Sequence, residues 1–409
     1  MTLYDELVWR GLIKDESSPE LKEKINAGKE TFYIGTDPTG PSLHIGHYLS
    51  FSMSRRLEAV GHKPILLVGG ATGLIGDPRP NAGERPMITK EELDYNYKKL
   101  REQVERVFGF EVVNNYDWTK DINVIDFLRD YGKYFPINYM LDKDTVKSRL
   151  DIGITYTEFS YMLLQALDFV WLYENKGVTI QMGGQDQWGN ITAGIELGRK
   201  KHGYSMYGFT MPLVTKADGS KFGKSEGQAI WLDKEMTTPY EMYQFFINVE
   251  DSMVVDYLKK FTFYSVDEIK ELEKKHNEHP ELREAHKALA KDVITFLHGE
   301  EEFDKAVKIS EALFSDEIYK LTADEIMMVY GDVPRFDIIG GDMLIEILTQ
   351  NNICSSKREA RELIEAGAIS VNGDKMDDEI FFIDEHFAIE GKIVIIKKGK
   401  KKYYMGIIK

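Results

Sequence analysis

The stretch TFYIGTDPTGPSLHIGHYL, residues 31–49, has the pattern of a buried strand that ends in a turn and leads into a helix. Four more segments in the first half look like buried strands and alternate with helical patterns: PILLVGG (64–70), FEVVNN (110–115), VTIQMGG (178–184) and FTMPLVT (209–215). This alternation predicts an α/β fold with a mostly parallel, Rossmann-like sheet covered by helices. Ligands of such sheets bind beyond the carboxyl ends of the strands, so the residues after each strand are the candidate site.

Length and composition predict two or three domains. The chain has 409 residues, and its one cysteine excludes a disulfide framework and a cysteine-based metal cluster. We expect a catalytic domain over 1–220, a helical domain over 221–330, a turn-rich link over 331–342 and a small α+β domain over 342–409. No signal peptide or membrane-spanning stretch is evident, so we expect a cytoplasmic protein with no membrane partner.

The charge of the chain is unevenly distributed. The net charge is −16, which argues against a general nucleic-acid binder, but the residues from Asp342 onward carry 11 basic and 12 acidic side chains. Any electrostatic landing site for RNA is therefore expected towards the C-terminus. Uneven surface charge alone accounts for the composition equally well. The basic residues that suit structured RNA are Lys357, Arg358 and Arg361 on a short helix, and Lys400, Lys401 and Lys402 before two tyrosines.

Two segments suit the handling of phosphates. His44 and His47, in HIGH, stand where a helix begins, so imidazole donors and the helix end both favour a phosphate, and Gly46 leaves room for an adenine ring. KADGSKFGKSEG (216–227) places Lys221, Lys224 and Ser225 on a glycine-flanked loop that can neutralise phosphate charge. Seen alone, each has a simpler explanation: two surface histidines, or a solvated loop.

Two further segments offer polar groups for a small pocket. The apolar helix TEFSYMLLQALDFVWLY (157–173) is interrupted by Tyr161, Gln165 and Asp168, which share one stripe. In IQMGGQDQWGN (180–190), a glycine pair allows close approach to a ligand, and we expect Gln181, Asp186 and Gln187 to supply polar groups in a tight turn. A buried hydrogen-bond network explains the first pattern equally well, and a helix-capping glycine turn explains the second.

HIGH and KFGKS, each after a strand and in this order, resemble the paired signatures of class I aminoacyl-tRNA synthetases. The stretch from Tyr33 to Pro38, the Tyr161/Gln165/Asp168 stripe and GGQDQWGN are similar to the tyrosyl-tRNA synthetase family over nearly the whole chain. The resemblance implies that L-tyrosine reacts with ATP to give tyrosyl-adenylate and pyrophosphate, and that tyrosine is then transferred to tRNA(Tyr). Positioning and charge stabilisation would carry the reaction, without a general base.

The resemblance also implies roles for individual residues. Tyr33 and Asp168 would hold the substrate phenol, and Tyr161 and Gln165 its ammonium group. The other implied substrate-binding residues are Asp77, Asn115, Gln181 and Gln187. The implied ATP-binding residues are Gly35, Asp37, Gly46, Gly184, Asp186 and Lys224. The implied catalytic residues are Thr39, His44, His47, Arg85, Lys221, Lys224 and Ser225. Asn81 departs from the family pattern, because many bacterial relatives carry lysine there.

The implied partners are tRNA(Tyr), L-tyrosine, ATP with Mg²⁺ and a second copy of the chain as a homodimer, with no tightly bound cofactor and no dedicated metal site. The C-terminal unit resembles the S-four type of RNA-binding fold; an amphipathic helix with a solvated tail is the alternative. Two other functions stay open at this stage. A small-molecule nucleotidyltransferase also uses an H-x-G-H turn, and a non-enzymatic RNA-binding protein needs only the basic tail. Tryptophanyl-tRNA synthetase is the related family most easily confused with this pattern.

Overall fold

The computed structural model describes residues 1–78, 88–220, 222–225, 228–331, 333–378, 380–399 and 402–409, with the description of 224, 225 and 228 confined to the backbone. The chain divides into two compact units. Unit one comprises Met1–Thr237 and Phe245–Val293, and unit two comprises Thr238–Gln244 and Ile294–Lys409. The predicted residues Arg85, Lys221, Lys400 and Lys401 lie outside the described residues, as does Asn81.

Unit one contains a six-stranded sheet with the order β1-β6-β5-β2-β3-β4. Its strands are β1 (Asp15–Glu16), β2 (Thr31–Thr36), β3 (Lys63–Val68), β4 (Glu111–Asn114), β5 (Val178–Gly184) and β6 (Tyr207–Met211). The last five are parallel to one another, and only the short edge strand β1 runs antiparallel, against β6. The chain moves outward in opposite directions from β2, so the carboxyl ends of β2 and β5 border a crevice. The predicted Rossmann-like sheet is confirmed, although β1 was not predicted because two polar residues carry no strand pattern.

Helices cover the sheet of unit one. They are α1 (Leu3–Trp9), α2 (Leu21–Ala27), α3 (Ile45–Ala59), α4 (Thr72–Ile75), α5 (Lys90–Val107), α6 (Tyr116–Thr119), α7 (Val124–Asp130), α8 (Ile137–Leu141), α9 (Asp144–Lys147), α10 (Tyr156–Lys176) and α11 (Trp188–His202). Later in the chain come the short paired strands β7 (Lys224–Ser225) and β8 (Gln228–Ala229), then α12 (Pro239–Ile247), α13 (Val254–Phe261), α14 (Val266–Glu278) and α15 (Glu284–His298). Helices α12 and α15 extend across the boundary between the units.

The start and end of helix α10 are determined by capping residues in the local sequence. The Thr155 hydroxyl caps its N-terminus by accepting from the Glu158 backbone N–H, and Gly177 ends it in the left-handed conformation, with φ of 67°. Phe169, Val170 and Leu172 of its apolar face pack in a buried cluster with Leu67 of β3 and Leu197 of α11. At its first turn, Glu158 forms a fully buried ion pair with Arg149, whose Nη2 lies 2.8 Å from Oε2. The helix that carries the polar stripe is therefore fixed at both ends and along its length.

Unit two contains helices α16 (Glu300–Phe314), α17 (Ala323–Tyr330), α18 (Leu344–Gln350) and α19 (Lys357–Glu365). Its strands are β9 (Arg335–Ile338), β10 (Asp342–Met343), β11 (Ile369–Val371), β12 (Asp374–Lys375), β13 (Phe382–Ile383), β14 (Ile393–Lys398) and β15 (Lys402–Ile408). A mixed sheet has the order β12-β11-β14-β15-β9, and β10 pairs with β13. The mixed α/β character predicted for the C-terminal end is confirmed.

The prediction of a turn-rich link over 331–342 was wrong in one respect. Strand β9 lies inside it and pairs in parallel with β15, with Phe336 opposite Gly406 and Ile338 opposite Ile408. A four-residue strand flanked by glycine and proline carries too short a pattern to be recognised, and its partner is nearly 70 residues away in sequence, as the register shows. Among the described residues, no helix is both long and apolar enough to span a membrane.

Candidate active site

A cavity of about 390 Å³ opens at the carboxyl ends of β2 and β5, beside the first turn of α3. The predicted site residues that line it are Tyr33, Gly35, Asp37, Thr39, His44, Gly46, His47, Asp77, Tyr161, Gln165, Asp168, Gln181, Gly184, Asp186 and Gln187. They come from five separate stretches of the sequence. Asn115 is fully buried behind the cavity wall rather than part of its lining.

Tyr33 and Asp168 are both buried and both line this cavity, with 1% and 2% of their surfaces exposed. Burial and, to a smaller extent, the negative charge of Asp168 hold the pKa of Tyr33 well above its usual value. Within the part of the chain that the structure describes, the Tyr33 hydroxyl has no hydrogen-bond partner. A buried phenol oxygen and a buried carboxylate that line one cavity are suited to a ligand that carries its own hydroxyl group.

The Asp168 carboxylate is held from behind by two donors. The Trp118 indole N–H donates to Oδ1 at 2.8 Å, and the Asn115 amide donates to Oδ2 at 2.9 Å. Burial raises the pKa of Asp168 to about 7, although both hydrogen bonds oppose the rise and the charge of Asp37 adds to it. Asn115 also donates to the Thr72 hydroxyl at 3.0 Å and accepts from the Ala71 N–H at 2.7 Å. It thus supports the carboxylate predicted to hold the phenol, not the predicted ammonium site.

A second pair of carboxylates lies in the same cavity. Asp37 accepts hydrogen bonds from the Tyr161 hydroxyl at 3.0 Å and from the Thr72 hydroxyl at 2.8 Å. Asp77 accepts from the Gln187 amide at 2.8 Å and from the Asn190 amide at 3.2 Å. Burial raises the pKa of Asp77 to about 7, and Asp37 contributes to that rise. Two carboxylates and a phenol in one buried wall favour a cationic group of a ligand.

Two amide groups complete this wall. Gln181 lies opposite Tyr33 in the register of β5 and β2, so both side chains point to the same face of the sheet. The prediction that Gln181 lies in the tight turn was wrong, because β5 continues to Gly184 before the turn begins. The Oε1 atoms of Gln181 and Gln165 are buried without a hydrogen-bond partner in the described ranges. Together with the Tyr33 hydroxyl, they give the cavity three polar atoms that can bond a small polar molecule.

His44 and His47 form a stacked pair at the start of α3, with ring centroids 3.8 Å apart. The Gly46 N–H donates to His44 Nδ1 at 3.1 Å, and the His44 N–H donates to His47 Nδ1 at 3.2 Å. Because both Nδ1 atoms accept, each neutral imidazole must carry its proton on Nε2. Burial, with a contribution from His44, lowers the pKa of His47 to about 3, so this ring is neutral at pH 7. The first turn of α3 therefore presents N–H donors suited to phosphate oxygens.

Gly223 of the second phosphate signature, KFGKS, lies against Ile45 of the first, HIGH. Gly223 has φ of +92°, and a Cβ atom added there would lie 2.6 Å from Ile45 Cγ2. The Ile230 N–H donates to the Gly223 carbonyl at 3.0 Å, and the Ile45 N–H donates to the Ile230 carbonyl at 2.8 Å. The backbone of Lys224 and Ser225 forms β7, which directly follows this point. The glycine is thus required both by its backbone conformation and by the close approach to α3.

The predicted RNA-binding residues that the structure describes lie in unit two. Lys357, Arg358, Arg361 and Lys402 are exposed. Lys357 forms an ion pair with Glu346, and Arg358 pairs with Glu362 at 2.9 Å while its side chain stays 89% exposed. Lys398, two residues before Lys400, instead pairs with Glu359 at 2.7 Å and donates to the Ile353 carbonyl. Some basic side chains of this end of the chain therefore have structural partners.

Three residues that contact the site carboxylates were missed by the sequence analysis: Trp118, Thr72 and Asn190. Each lies just after a strand of the sheet, in NNYDWTK, GGATG or GGQDQWGN. The signal that could have found them is their position, because ligands of such sheets bind at the segments that follow the strands. Within the described residues, no cluster of three or more histidine, cysteine or acidic side chains is arranged to hold a metal ion.

A family model for class I tRNA synthetases (W and Y) matches residues 26–315, a range that includes the whole cavity and both signatures. The chain belongs to this family of class I tRNA synthetases. A second family model, for the SYY-like C-terminal domain of tyrosine–tRNA ligase, matches residues 325–406. The resemblance stated from the signatures is therefore confirmed.

Relatives of known function match along the full length of this synthetase. The tyrosine–tRNA ligases of Listeria welshimeri and Geobacillus stearothermophilus are each 50% identical over 415 residues, which cover 99% of this chain and 99% of each relative. Among solved structures, a C-terminally truncated mitochondrial tyrosyl-tRNA synthetase of Aspergillus nidulans is similar, with 32% identity and a TM-score of 0.68. That match covers 76% of this chain and 94% of the other.

Proposed function

We propose that this chain is a tyrosine–tRNA ligase, which activates L-tyrosine with ATP and transfers it to tRNA(Tyr). The full-length relatives support this activity. The observation that carries the choice of tyrosine is the pairing of Tyr33 and Asp168 in one cavity with His44 and His47. A small-molecule nucleotidyltransferase would use the histidines but has no need for a phenol beside a buried carboxylate. The tyrosine–tRNA ligase function is therefore favoured over that alternative.

Selection of tyrosine follows from the hydrogen bonds that its hydroxyl can make. The substrate hydroxyl would donate to the Asp168 carboxylate and accept from the Tyr33 hydroxyl, which has no other partner among the described residues. Phenylalanine would leave the Tyr33 hydroxyl buried and unpaired, and Asp168 would lose its bond to the substrate hydroxyl. Such a site rejects phenylalanine by roughly five orders of magnitude, a figure that comes from tyrosyl-tRNA synthetases themselves and is not calculated from this structure. No editing site is needed at that level of discrimination.

The ammonium group of tyrosine would lie at the second pair of carboxylates. In this proposal Tyr161 and Gln165 bond the ammonium group directly, and Asp77 and Gln187 support it. The geometry that favours this assignment is the chain of hydrogen bonds in which Gln187 donates to Asp77 and Tyr161 donates to Asp37. A cation here would also return the raised pKa of Asp77 towards its ordinary range.

Adenylate formation is a displacement at phosphorus. An oxygen of the tyrosine carboxylate attacks the α-phosphorus of ATP, the bond to the bridging oxygen breaks, and pyrophosphate leaves with the electron pair. In the proposal, the Nε2–H groups of His44 and His47 and the hydroxyl of Thr39 stabilise the phosphate charge. Gly35, Asp37, Gly46, Gly184 and Asp186 would contact the nucleotide, and Arg85, Lys221, Lys224 and Ser225 would neutralise the leaving pyrophosphate. Mg²⁺ would arrive with ATP as part of the substrate.

Transfer to tRNA is the second step. A terminal ribose hydroxyl attacks the carbonyl carbon of the adenylate, and AMP leaves. We propose that the catalytic domain covers 1–220, the helical domain 221–330 and the S-four-type RNA-binding domain 342–409. Basic side chains of the last domain would contact the tRNA backbone, namely Lys357, Arg358, Arg361, Lys400, Lys401 and Lys402.

We also propose that the enzyme is a homodimer in the cytoplasm. Exposed large apolar side chains are concentrated between residues 124 and 156 of unit one: Val124, Ile125, Leu128, Ile137, Leu150, Ile152 and Tyr156. Such a concentration is typical of a surface covered by another protein chain. Sedimentation velocity at micromolar concentration tests this, because a monomer at that concentration would contradict it. The cytoplasmic location is supported by the activity in protein synthesis and by the single cysteine.

The decisive test of the activity is ATP–pyrophosphate exchange measured with each of the twenty amino acids. We expect exchange that depends on tyrosine and exceeds that with phenylalanine by several orders of magnitude. Exchange with tryptophan instead, or exchange that needs no amino acid, would contradict the proposed function.

A further inference from the structure

The loop that carries the second phosphate signature, KFGKS, packs against the rest of unit one through a buried aromatic side chain, Phe222. Phe222 stands in the otherwise polar stretch KADGSKFGKSEG, yet only 6% of its surface is exposed. Its ring centroid lies 4.4 Å from that of Tyr257, 5.0 Å from that of Phe245 and 5.2 Å from that of Phe261. Tyr257 and Phe261 lie on α13, so a helix remote in sequence forms most of the socket.

Tyr257 contacts this loop twice. Besides its ring contact with Phe222, its hydroxyl donates to the Thr215 carbonyl at 2.9 Å. Thr215 precedes the turn at Lys216–Gly219, and Phe222 follows it, with the Phe222 N–H donating to the Val214 carbonyl at 3.1 Å. The buried Tyr257 side chain therefore contacts the segments both before and after this turn.

Helix α13 is itself fixed against α3, the helix that begins with the first signature. The rings of Tyr48 and Phe261 stack with centroids 6.2 Å apart. The Ser52 hydroxyl donates to the Lys260 carbonyl at 3.5 Å, and the buried Arg56 donates to the Thr262 carbonyl. A displacement of Tyr257 would thus change the position of the loop relative to α3.

We propose that Tyr257, together with Phe222, is a positioning residue for adenylate formation. The pair fixes the start of the loop against α13, and so fixes the position from which the backbone of β7, at Lys224 and Ser225, begins. The inference rests on the proposed function, in which those two residues act on pyrophosphate. The reason for an effect on rate is geometric, because a displacement of about 1 Å in a charge-stabilising group can cost about a hundredfold in rate.

The test uses Tyr257→Phe, which keeps the ring and removes only the hydroxyl. We expect a fall of about two- to tenfold in kcat for tyrosine-dependent pyrophosphate exchange and a higher KM for ATP, with KM for tyrosine unchanged. Tyr264→Phe is the matched control. It removes a hydroxyl that donates to the Ala288 carbonyl at 3.4 Å, away from the loop, and should leave all three constants unchanged. Active enzyme is counted by the burst of adenylate formation, so that loss of folded protein is not mistaken for slow chemistry.

Phe222→Leu provides a second variant, for which we expect a fall of about ten- to a hundredfold in the same kcat, again without a change in KM for tyrosine. If both residues act through one anchor, the double variant should be little slower than Phe222→Leu alone. Equal rates for Tyr257→Phe and Tyr264→Phe would overturn the inference, as would a fall explained by fewer active sites. An absence of tyrosine-dependent exchange in the unmodified protein would instead overturn the proposed function.

Discussion

Replacement of Asp168 by asparagine should convert a tyrosine-selective site into a weakly selective one. The carboxylate has two oxygens, which accept from Trp118 and Asn115 at 2.8 and 2.9 Å and leave their remaining lone pairs to the substrate hydroxyl. A carboxamide of the same shape has one acceptor oxygen, and its NH₂ group must face one of the two internal donors. The variant therefore loses a charge-assisted bond to the substrate and gains a donor–donor conflict.

The magnitude follows from the kind of bond that is lost. A hydrogen bond to a charged group contributes about 1.5–3 kcal/mol, which corresponds to a fall of about 10- to 150-fold in kcat/KM for tyrosine. Phenylalanine makes no bond to Asp168, so its kcat/KM should stay the same or rise. The ratio of the two values should fall by at least about tenfold.

The assay is pyrophosphate exchange with tyrosine and with phenylalanine, measured across pH. In the unmodified enzyme, kcat/KM for tyrosine should fall as the pH drops below about 7, because Asp168 then gains a proton and loses the charge that strengthens its bond to the substrate hydroxyl. Burial also raises the pKa of Asp77 to about 7, so kcat/KM of Asp168→Asn should still fall at low pH, but less steeply. Asp292→Asn is the control, since burial also raises the pKa of this acid and it does not line the cavity. An unchanged ratio and an unchanged pH profile in Asp168→Asn would refute the assignment of the phenol site.

Three other variants test separate parts of the structure. Arg149→Met leaves Glu158 charged and buried, so the free energy of unfolding in urea should fall by about 3–5 kcal/mol. Arg129→Met, at an exposed ion pair, should change the free energy of unfolding by less than about 1 kcal/mol. Similar values for the two variants would contradict the role given to burial. Lys224→Ala should slow adenylate formation in stopped-flow experiments by at least about tenfold while leaving tyrosine binding unchanged, and a normal rate would exclude the clamp. Arg358→Glu should weaken tRNA binding in filter assays and reduce its salt dependence without affecting exchange; unaltered binding would exclude this contact.

Truncation before Asp342 tests the RNA-binding role of the C-terminal end, but it also removes part of a buried apolar cluster. The buried cluster of α16 and α17 includes Ile326, and it packs against Ile393, Ile395 and Met405 from the C-terminal strands. Removal of these strands would expose that apolar face and leave β9 without its partner. We still expect adenylate formation to survive and tRNA charging to be lost, but charge reversal on the surface is the sharper experiment. Exchange activity lost in parallel with charging would contradict this division of roles.

Much of the catalytic unit could be predicted because its signals are local. The five strands from β2 to β6 are short apolar runs bounded by turn residues, and each of the predicted segments contains or overlaps an observed strand. The stripe of Tyr161, Gln165 and Asp168 was recognisable because three polar residues at helical spacing interrupt an apolar helix. Position after a strand then gave the location of the site without any knowledge of distances.

The sequence by itself determined the Rossmann-like class and the two phosphate signatures, since each follows from residue type and spacing along one segment. The pairing of Tyr33 with Asp168 was implied only by the resemblance to the tyrosyl-tRNA synthetase family. Only the tertiary structure decided that Trp118 and Asn115 hold Asp168, that β9 completes a sheet with β15, and that Tyr257 supports a loop some 40 residues earlier in the chain. These contacts join segments with no shared pattern, and their partners are selected by the packing of whole elements. A hydrogen-bond donor in the sequence shows what it can bond, but its acceptor is fixed only when the chain has folded.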